Sequence, residues 1–167
     1  MNLYIQRHAI AVDRGTKGYE TDSERPLTDK GAEKMHRIAE GMQALHLSFD
    51  YIISSPFVRS RQTAEIVADV FHAGKKLEFT SDLQVGGDPK GLINGIRARY
   101  GPDSILLLVG HEPYLSGLIS ILVSGVKNFS ITMKKGGLCK LSVDHLRYSR
   151  CATLEWLLTP DQLSRIR

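Results

Sequence analysis

Short apolar runs alternate with longer amphipathic segments along this chain. Three of the runs predict strands, over Asn2–Gln6, Tyr51–Ser54 and Leu77–Phe79. A fourth run, Ile105–Val109, is apolar at every position, and strands have this character when both faces of a sheet are covered. We therefore expect Ile105–Val109 at the centre of a sheet.

The first amphipathic segment has the signals of a helix. Thr28 is the predicted N-cap, and Asp29 lies in the first turn, where the helix dipole favours a negative charge. We expect the helix to run to about Leu45. Its apolar residues follow the three-to-four spacing of a buried stripe: Met35, Ile38, Met42 and Leu45.

Three further helices are predicted over residues 55–74, 88–100 and 113–123. Ser55 and Asp88 are predicted caps, since each precedes a proline that suits the first helical position. The glycine at the end of the first range is expected to terminate that helix.

The last part of the chain predicts short strands over Ser130–Met133, Leu138–Val143 and Thr153–Leu158, with a turn at Gly136-Gly137. The alternation before it implies an α/β fold, a three-layer α/β/α sandwich with a mostly parallel central sheet. We expect the final strands to be antiparallel. Since no linker stands out, residues 1–167 are predicted to form a single domain.

Composition narrows the class of partner. The chain has 167 residues, of which 42% are hydrophobic and 24% charged, as in an ordinary globular domain. A net charge of +4 favours an anionic substrate or an acidic partner. The excess is too small to predict binding of nucleic acid.

The expected location and cofactors follow from motifs that the sequence lacks. No secretory signal is visible, and no apolar stretch approaches the roughly 20 residues that cross a bilayer, so we expect a cytoplasmic protein without a membrane partner. Cys139 and Cys151 form no CxxC and are expected to be reduced. The histidines lack the HxH and HExxH spacings, so no metal or other cofactor is predicted.

Two histidines and two arginines share one expected place in the fold. Arg7 and His8 end the first strand, and His111 follows the central one. Arg59 lies in the first turn of the second helix, where free backbone N–H groups favour the binding of an anion. Each residue alone is more often structural. Together, at the ligand-binding edge of an α/β sheet, they predict a phosphate site with an imidazole nucleophile.

Three segments resemble the signatures of the histidine phosphatase superfamily: Arg7-His8, Ser54–Arg59 and Val109–Pro113. Two more, Arg25–Thr28 and Gly86–Asp88, resemble its SixA-type phosphohistidine phosphatase branch. The resemblance covers most of the chain. The three signatures are specific as an ordered set, whereas any one of them alone is weak.

The resemblance implies a phosphoglycerate mutase-like fold and a hydrolase that needs no metal. It implies that His8 accepts the phosphoryl group and that Arg7, Arg59 and His111 form the phosphate pocket. Ala9 departs from the glycine usual in the first signature. The methyl group would be harmful only if this residue required a positive φ, and we expect it to be tolerated.

The general acid is less defined by the sequence. Asp22 and Glu112 are candidates, and the alternatives are a solvated loop acid and a first-turn helix acid, respectively. Arg25 lies just before a predicted helix. It either contacts the substrate, as the resemblance suggests, or is a loop residue without a role in the site.

The absence of large insertions predicts a shallow, open pocket. Such a pocket favours a phosphohistidine-bearing protein, such as a histidine phosphotransfer domain, and hence a role in protein dephosphorylation and signal transduction. Two alternatives remain open. One is a phosphatase for small phosphomonoesters, such as sugar phosphates or nucleotides. The other is a non-catalytic phosphate-binding module.

Overall fold

A mixed sheet with strand order β3-β2-β4-β1-β5-β6 organises the fold. This computed structural model describes residues 1–127 and 129–167. Its strands are β1 Asn2–Arg7, β2 Tyr51–Ser54, β3 Leu77–Phe79, β4 Ile105–Gly110, β5 Leu138–Val143 and β6 Ala152–Leu158. The first four pair in parallel, whereas β5 and β6 add antiparallel pairs, as predicted.

Helices cover both faces of this sheet. They are α1 Asp29–Ala44, α2 Val58–Val70, α3 Pro89–Arg99, α4 Tyr114–Ser124 and the short α5 Pro160–Leu163. One apolar cluster packs α1 and α2 against one face, and a second packs α3 and α4 against the other. The predicted three-layer α/β/α sandwich is confirmed.

The unbroken apolar run of β4 follows from its position. Leu106 and Leu108 pack in the α3–α4 cluster, and Leu107 and Val109 pack in the α1–α2 cluster. All four side chains are fully buried. A strand between two helical layers needs apolar residues on both faces, which places β4 inside the sheet, as predicted.

Three of the four predicted helix starts lie within one residue of the observed ones, and one does not. The Thr28 hydroxyl accepts from the amide of Gly31, and the Asp88 carboxylate caps α3 in the same way. In contrast, α2 begins at Val58, two residues after Pro56, the predicted first helical position. The reason is that the amide of Ser55 donates to the carbonyl of Val109 at 3.0 Å, which prolongs the pairing of β2 with β4.

The C-terminus of α2 also differs from the prediction. The helix ends at Val70, and Gly74 instead opens a short 3₁₀ turn. His72 adopts the left-handed region at φ 51°. The amide of Ala73 then donates to the carbonyl of Ala68 at 2.7 Å, which closes a Schellman motif without glycine.

The predicted strand over Ser130–Met133 is wrong. This segment is irregular, although its alternating apolar residues pack in the α3–α4 cluster. The Met133 carbonyl accepts from Arg7 Nη1 at 2.7 Å rather than from a neighbouring strand. The glycine turn that follows is present, and the amide of Gly136 donates to the carbonyls of Arg7 and His8 at 3.0 and 3.1 Å.

Two further expectations concern cysteines and membranes. Cys139 and Cys151 are both free thiols, and burial raises the pKa of Cys139 to about 12. Across residues 1–127 and 129–167, none of the helices combines the length and the apolar character needed to span a bilayer.

Candidate active site

The carboxyl ends of β1 and β4, with the start of α2, bring the predicted residues together. Parallel pairing sets Arg7 opposite Gly110, so that His8 and His111 leave the sheet side by side. Their ring centroids are 5.1 Å apart. Arg59, the second residue of α2, points its Nε at His8 Nε2 from 3.3 Å.

His8 is held in one tautomer. Its Nδ1 lies 2.7 Å from the carbonyl oxygen of Ala9, and because a carbonyl only accepts, Nδ1 carries the proton. Nε2 therefore presents a lone pair toward Arg59. Burial, reinforced by the nearby charges of Arg59 and Arg7, lowers the pKa of His8 to about 3. His8 is thus a neutral imidazole with an available nucleophilic nitrogen at neutral pH.

His111 is held by two hydroxyl groups. Its Nε2 lies 2.8 Å from Ser55 Oγ and 3.2 Å from Ser60 Oγ. Among the described residues, its buried Nδ1 has no hydrogen-bond partner. Burial, followed by the charge of Arg59, lowers the pKa of His111 to about 3. If Nε2 accepts from the hydroxyls, Nδ1–H is a free donor in the pocket.

Arg7 has a second donor of this kind. Its Nη1 donates to the Met133 carbonyl, whereas its buried Nε has no partner in the part of the chain that the structure describes. Buried donors are normally paired, because leaving one unpaired costs about 1–3 kcal/mol. Unpaired donors on Arg7 and His111, close to His8, match the needs of a bound oxyanion.

Asp22 ties Arg59 to the loop that precedes α1. Arg59, only 2% exposed, donates from Nη1 to the Asp22 carbonyl at 2.5 Å and from Nη2 to its Oδ2 at 2.9 Å. Arg25 donates from Nε and Nη2 to Asp22 Oδ1, at 3.1 and 2.8 Å, and from Nη1 to the Val12 carbonyl. Arg25 therefore reaches the site through Asp22, and all three of its nitrogens already have an acceptor.

The two candidate acids are both engaged. Burial alone would raise the pKa of Asp22, but hydrogen bonds from Arg25 and Arg59 lower it to about 2. In this arrangement Asp22 is therefore ionised at neutral pH, and its role as the general acid stays a prediction. Glu112 Oε1 accepts from the amide of Ser116 at 2.9 Å, the helix-turn role that was its alternative.

Sequence reasoning missed the hydroxyl groups that build the pocket. Thr63 Oγ1 accepts from the amide of Ala9 at 3.0 Å and donates to the carbonyl of Arg59 at 2.7 Å. The signal was available, because Thr63 lies four residues after Arg59 and so on the same helix face. Ala9 is not among the residues with positive φ, so its methyl group causes no backbone strain.

The expected open pocket is instead covered. His8, Arg59 and His111 are 6%, 2% and 1% exposed, and Asp22 covers the Arg59 guanidinium from the loop side, with Arg25 bound to Asp22. The physical reason is that a buried guanidinium requires a counter-charge, and Asp22 supplies it from the loop. Outside this cover lies a cavity of about 510 Å³, lined by Arg14, Tyr19, Asp22, Arg25, Phe57 and Val85 among others.

The sequence of this chain is similar to those of known proteins. The sequence model of the histidine phosphatase superfamily (branch 1) matches residues 3–85. An uncharacterized protein of Picosynechococcus sp. is 36% identical over 146 residues, which span 84% of each chain. The phosphohistidine phosphatase SixA of Escherichia coli (strain K12) is 25% identical over 166 residues, 98% of this chain and 96% of its own.

A solved structure shares the fold. The protein histidine phosphatase SixA complexed with tungstate has a TM-score of 0.81 and is 24% identical, with 98% of this chain and 99% of that one covered. The two proteins thus share one fold over nearly their full lengths.

Proposed function

The chain belongs to the histidine phosphatase superfamily, and from this membership we propose that it hydrolyses protein phosphohistidine through a covalent phospho-His8 intermediate. The observation that carries the proposal is the state of His8. Its Nδ1 proton is committed to the Ala9 carbonyl, and its Nε2 lone pair faces the buried guanidinium of Arg59. This geometry suits attack on a phosphoryl group whose oxygens a guanidinium holds.

In the first step, His8 Nε2 forms a bond to phosphorus while the P–N bond of the substrate breaks. The substrate's ring already carries a proton on its other nitrogen, taken up from solvent before the step, so it keeps the electron pair of the broken bond and leaves as neutral imidazole. Arg59 Nε, Arg7 Nε and His111 Nδ1 are the donors available to the phosphoryl oxygens. Their fixed positions stabilise the charge without reorganisation.

In the second step, water attacks phosphorus and the P–Nε2 bond of phospho-His8 breaks. The electron pair returns to Nε2, and the proton of the attacking water passes to the released phosphate. Because Nδ1 keeps its proton throughout, His8 leaves phosphorus as a neutral imidazole and regains its starting state.

The engaged acids favour an imidazole as the leaving group. An imidazolium has a pKa of about 6.5, so a phosphorylated histidine can pick up its proton from water near neutral pH. An alkoxide is far more basic and depends on a positioned acid. Since Asp22 is ionised in its ion pairs, the site supports phosphohistidine over a phosphomonoester.

A groove beside the pocket supports a protein as the carrier of that phosphohistidine. Its volume is about 390 Å³, and we name it the α4 groove, lined by Val85, Pro113, Gly117, Leu118, Ile121 and Tyr148. It begins at Glu112, next to His111, and its lining is mostly apolar. Lys127 lines it and Lys90 lies over the Tyr148 ring, which suits an acidic partner. We expect a helix of the partner to lie in the α4 groove.

One observation favours a second candidate, a phosphatase for small phosphomonoesters. The cavity of about 510 Å³ outside Asp22 contains Arg14 and Tyr19, which could hold a sugar or a nucleoside. The third candidate, a non-catalytic module, was motivated by Ala9 and by the lack of a clear general acid, and it loses the first of these arguments because Ala9 is unstrained.

The test compares two substrates with chelator present. Purified protein is mixed with a phosphohistidine-bearing phosphotransfer protein and, separately, with an aryl phosphate. We expect rapid loss of phosphohistidine, slower aryl phosphate turnover, and no turnover in His8→Ala. His36→Ala, at an exposed position of α1, is the matched control and should match the wild type. Preference for the small ester would favour the second candidate, and turnover by His8→Ala would exclude His8 as the nucleophile.

A further inference from the structure

The Arg59 guanidinium is divided between two neighbours. Its Nη1 and Nη2 end contacts Asp22, whereas its Nε faces His8 Nε2. A guanidinium carries five donors in a plane, with one pair of hydrogens along the end and another along the Nε–Nη2 side. Occupation of the end therefore leaves the side free for a bidentate contact with phosphate.

We propose that Asp22 is a positioning residue, which fixes Arg59 from the loop side so that its Nε–Nη2 edge faces the phosphoryl group on His8. The inference rests on the proposed phosphatase function. Asp22 touches neither His8 nor the reacting atoms, and its effect passes through Arg59.

Three arginines converge on this one carboxylate. Arg14, Arg25 and Arg59 contact Asp22 at 3.0, 2.8 and 2.9 Å, and their side chains are 75%, 11% and 2% exposed. The array thus runs from solvent to the buried pocket. The innermost charge gains most from its partner, because a buried guanidinium without a counter-charge is strongly unfavourable.

Arg25 helps to orient the Asp22 carboxylate. Its Nε and Nη2 hold Asp22 Oδ1, and its Nη1 is anchored on the Val12 carbonyl at 2.6 Å. Oδ2 is left for Arg59. Arg25 therefore sets the orientation of the Asp22 carboxylate, and we expect its loss to weaken the same step to a smaller extent.

Two other roles for Asp22 make different predictions. As a proton donor, Asp22 would control the alkaline limb of the pH profile on substrates with poor leaving groups. As a plug that phosphate must displace, Asp22 would weaken the binding of oxyanions, and its removal would tighten it. A positioning residue does neither, and its effect disappears once Arg59 is gone.

The test is a double-mutant cycle on His8-dependent turnover, with vanadate inhibition as a second readout. We expect Asp22→Asn to lower kcat/KM by about 10- to 100-fold, mostly through kcat, since small displacements of a positioning group cost this much. Vanadate should bind no more tightly, and the alkaline limb should stay in place. In an Arg59→Lys background, Asp22→Asn should add less than about twofold.

Controls make each outcome decisive. Asp103→Asn, in an exposed loop, should match the wild type. Asp22→Glu takes the place of Asp22→Asn where the asparagine variant is unfolded at the assay temperature. Asp22→Glu keeps the negative charge but places the carboxylate one methylene farther from the backbone, and it should show the same loss in kcat. A full additive loss in the Arg59→Lys background, a lost alkaline limb, or tighter vanadate binding would each overturn the inference. Absence of His8-dependent turnover in the wild type would instead refute the proposed function.

Discussion

His8 is fixed at both ring nitrogens by groups that the chain supplies locally. The carbonyl of the next residue, Ala9, takes the Nδ1 proton, and Arg59 faces Nε2. The amide of Ala9 is bound by Thr63, so the nucleophile and the arginine are linked through a single hydroxyl. The reactivity of His8 therefore depends on short-range contacts rather than on an external base.

The two buried histidines also predict how stability depends on pH. The pKa values of His8 and His111 are lowered from 6.5 to about 3, chiefly by burial. Between these values the unfolded chain binds protons that the folded protein does not, so the free energy of unfolding should fall as pH drops from 6.5 toward 3. The contribution is complete above pH 6.5.

Urea unfolding followed across this range measures the effect. In His8→Asn/His111→Asn neither ring titrates, so the decrease between pH 6.5 and 4 should be much smaller than in the wild type. An unchanged pH dependence in the double variant would show that these rings are not the cause.

At the scale of elements, the helix ends contain residues that strain the backbone. α1 and α2 are each followed by a histidine in the left-handed region, His46 at φ 55° and His72 at φ 51°. The left-handed conformation is strained for residues that have a Cβ. At the end of α4 the left-handed residue is instead a glycine, Gly125 at φ 84°.

We expect His46→Gly and His72→Gly each to stabilise the protein by about 1 kcal/mol, since glycine adopts this conformation without strain. The converse change, Gly125→Ala, should destabilise by a similar amount. Thermal unfolding of the three variants measures this. A loss of stability in both glycine variants would mean that contacts of the histidine side chains outweigh the strain.

The exposed face of α4 allows a direct test of the α4 groove. A Cβ on Gly117 would meet no atom within 4 Å, and neither would one on Gly95 in α3. Gly117→Leu should fill the groove without disturbing the fold, and we expect KM for the phosphoprotein to rise about tenfold or more while aryl phosphate turnover persists. Gly95→Leu is the matched control. An unchanged KM in Gly117→Leu would exclude this groove as the docking surface.

At the scale of the whole molecule, the sheet determines where the chemistry can occur. Parallel pairing of β1 with β4 aligns their carboxyl ends, and the antiparallel β5 closes the other side of β1. The turn before β5 then binds the carbonyls of Arg7 and His8 through Gly136. Gly136 adopts φ 85°, a conformation that favours glycine, and a Cβ there would also lie 2.9 Å from Ile38 Cδ1.

Much of this architecture could be predicted from sequence because it depends on local signals. The period of apolar residues predicted all six strands and the sandwich, and strand ends located His8 and His111. The cover over the pocket could not be predicted, because it depends on the pairing of Asp22 with Arg59, 37 residues apart in sequence. The irregular Ser130–Met133 segment was misassigned because its alternating burial has no strand to pair with among the described residues.

The most direct test of the central claim is mass spectrometry of the protein quenched in alkali within milliseconds of mixing with a phosphohistidine protein. Phosphohistidine survives at high pH, so we expect one added phosphoryl group, located on His8 and missing in His8→Gln. Turnover without any phosphorylated intermediate, or with the phosphoryl group on another residue, would exclude the phospho-His8 intermediate.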